Sequence, residues 1–118
     1  MALPPPLTRA WFHWQRTPLP VEAARLRRTQ DPLHGVEQDL DHLRSYIYSL
    51  GMALFEGGQR WDYSGHAGDE LEALHRVSVE LDELPLPDQA KAPYRVFIAA
   101  STTLLREVAR LTFLDEAT

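Results

Sequence analysis

From residue 36 the chain reads VEQDLDHLRSYIYSLGMALFEGG, in which Val36, Leu40, Leu43, Ile47, Leu50 and Leu54 are spaced 4, 3, 4, 3, 4. Such intervals bring all six apolar side chains onto one face of an α-helix, whereas a strand would send them to both faces of a sheet. The pattern predicts a helix over about 35 to 56. Gly57-Gly58 supplies residues without Cβ at its C-terminal end, and Asp31-Pro32 fits the turn before its start.

Two more segments carry helical periodicity. In GDELEALHRVSVELDEL, Leu71, Leu74, Ser78 and Leu81 share a face, acids at the start complement the helix dipole, and LPLP ends the run. A third helix is predicted from about Pro93 to Leu114, with Pro93 in its first turn. There Tyr94, Ile98, Ser101, Leu105, Val108 and Thr112 repeat the 4 and 3 spacing, and Phe97, Leu104 and Leu111 widen the stripe. The connection GGQRWDYSGHA, residues 57 to 67, is polar and glycine-rich and is predicted to be a loop. No stretch alternates as a strand would.

In the first thirty residues Leu7, Trp11 and Trp14 have helical spacing within LTRAWFHWQR, and PLPVEAARLRR can form a short helix entered through Pro20. The expected fold is therefore all-α: an antiparallel up-down helical bundle of three long helices plus an N-terminal arm or short helix. A length of 118 residues suits one domain, with a basic, aromatic, proline-containing arm over 1–30 and a bundle body over 35–114.

Composition narrows the function classes. With 44% hydrophobic and 25% charged residues the chain has the balance of a soluble globular protein, and no apolar run approaches the ~20 residues of a membrane-spanning helix. Cysteine is absent, which excludes disulfides, thiolate zinc sites and a cysteine nucleophile. The N-terminal MALPPPLTRAWFHW has prolines where a secretory signal carries an unbroken apolar stretch, so the cytoplasm is the expected compartment. Charge is uneven. Residues 1–28 hold five arginines against Glu22, a net +4, leaving seven basic and sixteen acidic groups, a net −9, in the other ninety. Aromatics between arginines can stack bases, but an acidic body opposes counterion-driven binding, so a protein contact is expected before nucleic acid. A membrane role is not expected, since the arm lacks a long amphipathic helix with a lysine-rich face.

Two acid-x-x-His pairs, Asp39/His42 and Glu72/His75, raise the question of a metal site between helices. At about 100° per residue, Asp39 falls on the flank of the Val36/Leu40/Leu43 seam and His42 lies well off it. Glu72 points away from the Leu74/Ser78/Leu81 arc, and His75 sits at its edge. A dimetal centre needs both pairs turned inward with two further carboxylates, so none is expected. His66 and Glu70, one turn apart, could share a cation with His42 and His75, but solvated acids at a helix start explain them equally. Phosphate-binding glycine loops and a hydrolase elbow are missing. The expectation is a non-enzymatic protein without cofactor. The alternative is a helical-bundle metalloprotein or hydrolase using some of His42, His66, Glu70, Glu72 and His75.

The stronger signal is hydrophobic. Opposite its seam, the 35–56 helix begins polar with Glu37, Asp41, Arg44 and Ser45, then presents Tyr48, Met52 and Phe55 at i, i+4, i+7. A bundle helix needs one buried face, so this second stripe requires a cover. Either Trp11, Phe12 and Trp14 of the arm fold back onto it, or it forms a subunit or partner interface together with Trp61 and Tyr63. The interface is the favoured expectation, because these residue types are enriched at interfaces and a three-helix chain gains core by pairing. The expected partner is a second copy or another protein.

Overall fold

A computed structural model of the chain describes residues 3–19, 31–56 and 63–117, the side chains of 63–66 and 111–117 lying outside that description. Four helices follow one another: α1 Pro5–Gln15, α2 His34–Phe55, α3 Tyr63–Glu83 and α4 Asp88–Ala117. Among the described residues there is no strand. Residues 20–28 of the helix proposed in PLPVEAARLRR, and the loop residues 57–62, lie outside the described residues.

Helix α1 starts where its prolines allow. Pro5 and Pro6 occupy its first positions, where a missing N–H costs nothing, and Leu7 and Thr8 donate their backbone N–H groups to the Pro4 carbonyl. Leu7, Ala10, Trp11 and Trp14 form its buried face. Before α2, Asp31 turns the chain: its side chain accepts from the Leu33 N–H at 2.9 Å and its carbonyl from the His34 N–H at 3.0 Å. All six seam residues of α2 are buried.

Helix α3 begins earlier than its glycines suggest. Residues 63–67, expected in a loop, are helical, and Ala67 is fully buried. The inward face is Ala67, Leu74, Val77 and Leu81, so Val77 takes the core position expected for Ser78, which is half-buried. Helix α4 likewise starts at Asp88, and Pro93 stands inside it. That proline removes the donor for the Gln89 carbonyl, but Gln89 is exposed, where water can replace the bond. Tyr94, Phe97, Ile98, Ser101, Leu104, Leu105 and Val108 are buried as the periodicity predicts.

The helices alternate in direction. Gly35 near the start of α2 lies beside Glu80 near the end of α3, and Arg95 of α4 reaches Asp82 of α3 at 2.9 Å across the intervening turn. Lys91, the chain's single lysine, is buried and donates to the Asp82 carbonyl at 2.9 Å, placing a cation at the C-terminal end of α3. Helix α1 runs antiparallel to α2 and α4, with Trp11 against Phe55 and Trp14 against Ser101. The result is an up-down bundle in which α1 packs on α4 and, through its tryptophans, on α2, while α3 packs on the other sides of the same two helices. Its long dimension of 49 Å matches α4, whose thirty residues span about 45 Å at 1.5 Å each. None of the described helices is long and apolar enough to cross a membrane.

Candidate interaction surfaces

The aromatic residues of the arm and of α2 meet in one layer. Trp11 stacks between Phe55, at 5.4 Å between ring centroids, and Trp14, at 5.6 Å, with Tyr48 tilted against it at 6.3 Å. Trp14 continues the layer to Phe97 of α4, and its indole N–H donates to the Ser101 hydroxyl at 2.8 Å. That bond explains a serine in the α4 seam: a buried indole N–H needs an acceptor, and Ser101 is fully enclosed. Tryptophan can approach α2 this closely because Gly51 has no side chain; a Cβ there would stand 2.0 Å from the Trp11 ring.

Of the residues expected at an interface, the structure thus buries Trp11 and Trp14 within the chain and half-buries Met52 and Phe55. Phe12 and Tyr48 stay exposed, at 54% and 51%. Trp61 and the Tyr63 side chain lie outside the described residues.

Beyond Trp14, the short α1 ends while α2 and α4 continue, leaving an open cleft of about 550 Å³. Trp14, Tyr48 and Phe97 line it with Gln15, Leu19 and Arg44, whose guanidinium is paired with Asp41 at 3.0 Å. The cleft also holds the Thr17 and Ser45 hydroxyls, and among the described residues that line it there is neither histidine nor carboxylate to activate them.

The outward face of α1 has a different character. Arg9, Phe12 and Arg16 follow at intervals of 3 and 4, and all three are exposed, as is His13. The Arg16 Nε donates to the Phe12 carbonyl at 3.2 Å, which holds the guanidinium beside that residue. Among the described residues neither arginine has an acidic partner.

On the far side of α2, a groove of about 420 Å³ runs along α3. Leu43, Ala73 and Val77 line its floor, and Asp39, Glu70 and Glu80 stand around it against the one guanidinium of Arg76. Burial, reinforced by Glu70 and Asp69, holds the Tyr46 phenol in this groove above its ordinary 10.0. His42 and Glu70 of the alternative metal set line the groove together, but Glu72 and His75 do not and are exposed. His75, expected at the edge of the apolar face, therefore points to solvent. The His66 side chain is outside the described residues. Among the described residues no three His, Asp or Glu side chains are placed to hold a metal ion.

Two buried polar residues, Lys91 and Glu37, escaped the sequence reading. Glu37, assigned to the polar face of α2, is buried and accepts a hydrogen bond from the Tyr94 hydroxyl of α4. Its place beside Val36 and one turn before Leu40 puts it at the rim of the seam, and a core tyrosine needs a hydroxyl partner; together these were the available signal.

Compared with protein-family models, curated proteins and solved structures, the chain finds no match.

Proposed function

We propose that this chain is a non-enzymatic protein-protein interaction or scaffolding protein of the cytoplasm, acting as an oligomer or as a subunit of a larger assembly. The observation that carries the reading is the outer face of α1, where Phe12 is 54% exposed between Arg9 and Arg16. An exposed aromatic flanked by guanidinium groups is the side-chain combination found at the energetic centres of protein interfaces. Its backbone is rigid, because the opposite face of the same helix is locked into the core by Trp11 and Trp14, so little ordering cost attends docking. The acidic remainder of the chain disfavours a nucleic-acid partner. Among the described residues the cleft offers hydroxyls with no base beside them, and so lends chemistry no support.

Capture from an extract of the native host tests the reading. Full-length protein should retain specific proteins, or further copies of itself, that a Phe12→Asp variant of unchanged helicity does not. Equal retention by both, or by neither, contradicts the assignment of this face.

A further inference from the structure

Resting on that reading, we propose that the partner of the α1 face is a second copy of this chain, joined head to tail: Phe12, flanked by Arg9 and Arg16, seats in the acidic groove between α2 and α3 of the next molecule.

Both halves of such a contact are present on one chain, and they are opposite in sign. The α1 face offers one protruding aromatic ring with a cation on either side. The groove offers an apolar floor of Leu43, Ala73 and Val77, with the carboxylates of Asp39, Glu70 and Glu80 around it alongside His42 and Arg76. Asp39 and Glu80 have no ion pair among the described residues, and with Glu70 the carboxylates outnumber the Arg76 guanidinium in the described lining. Its volume of about 420 Å³ falls within the range that encloses an inserted group rather than a flat contact. Burial first, and then the nearby Glu70 and Asp69, raise the Tyr46 phenol in the same groove.

The chain cannot satisfy the groove with its own α1. Helix α1 lies on the side formed by α2 and α4, and the groove opens between α2 and α3, so the two surfaces face away from each other. Contact between non-identical surfaces is heterologous, and repetition builds rings or filaments instead of closed symmetric pairs. This is the assembly logic of a scaffold, and it uses the charge asymmetry between the basic N-terminal segment and the acidic body. Guanidinium-carboxylate pairing around one buried ring also makes the association sensitive to salt, since charges at the rim of a contact are screened over about 10 Å at 0.1 M.

Sedimentation velocity on the full chain, with circular dichroism to verify folding, tests the proposal. At low ionic strength and up to about 1 mM, the Kd of a weak complex, the protein should form species that grow with concentration and revert to monomer in about 1 M salt. Phe12→Asp, which spoils the face, and Val77→Arg/Glu80→Lys, which spoils the groove, should each be monomeric. Mixed, the two variants should form a 1:1 complex and nothing larger, because only one intact face and one intact groove remain between them. Should the groove variant misfold, Asp39→Lys/Glu80→Lys, confined to exposed positions, takes its place. A wild-type chain that stays monomeric, an oligomer indifferent to Phe12→Asp, or failure of the variants to complement would each overturn the head-to-tail contact. A monomeric wild type that still captures another protein through Phe12 would overturn this inference alone, whereas loss of all Phe12-dependent capture would remove the functional reading with it.

Discussion

The ring of Trp11 lies directly over Gly51, so close that a β-carbon on the glycine would meet it at 2.0 Å. The relationship reverses an ordinary expectation. In a helix interior, glycine to alanine gains about 1 kcal/mol from backbone entropy. Here the added methyl must displace a ring that Phe55 and Trp14 hold from both sides, and overpacking of that kind costs about 1 to 3 kcal/mol. Gly51→Ala should therefore destabilise the protein in chemical denaturation. In a Trp11→Ala background the same substitution should become neutral or stabilising. Stabilisation in the wild-type background would mean that Trp11 does not rest on α2.

Ser101 is matched to Trp14 by one hydrogen bond of 2.8 Å in a dry environment. Ser101→Ala leaves the indole N–H buried without an acceptor and should cost about 1 to 3 kcal/mol. Adding Trp14→Phe to that variant removes the orphaned donor, so the two losses should fall short of their sum. Strict additivity in the double-mutant cycle would show that the bond carries no coupling.

Much of this architecture is legible in the residue pattern. The α2 seam from Val36 to Leu54 and the α4 stripe from Tyr94 to Val108 are buried position for position, because a heptad spacing leaves only one face on which to bury them. Helix boundaries were less legible. Gly65 and the polar residues around it read as a loop, yet burial of Ala67 outweighs its low helix propensity; Pro93 reads as a start, yet Asp88 opens the helix a turn and a half earlier. The surfaces were harder still. Spacing shows that Tyr48, Met52 and Phe55 form a stripe but not what lies across it, and the stack of Trp11 on Phe55 depends on a glycine whose purpose becomes visible only in three dimensions. For the alternative ligand set, residue intervals turn Glu72 away from the core but do not show that His42 and Glu70 share a groove or that His75 faces solvent.

Alkaline pH offers a separate check on the α2–α3 groove. Burial and the neighbouring Glu70 and Asp69 raise the Tyr46 pKa in the folded state above 10.0. The neutral phenol is thus favoured by the fold, so its contribution to stability is whole below pH 10.0 and is lost as pH rises through the folded value. Tyr46→Phe should reduce the loss of stability on raising the pH beyond that point, and the missing phenolate absorbance should belong to a late-titrating group. An unchanged alkaline profile in the variant would contradict the electrostatic description of the groove.

The account turns on a division between neighbouring residues: Trp11 closes the bundle, while Phe12, one position along the same helix, faces outward. Chemical denaturation of Trp11→Ala and Phe12→Ala, at a concentration and salt where the protein is monomeric, measures that division directly. Trp11→Ala should lose about 3 to 5 kcal/mol, as for a large aromatic removed from a core, and Phe12→Ala should stay within about 0.5 kcal/mol of the parent, as for a surface position. Comparable losses in the two variants, or a larger loss at Phe12, would contradict both the packing of α1 and the surface on which its interaction rests.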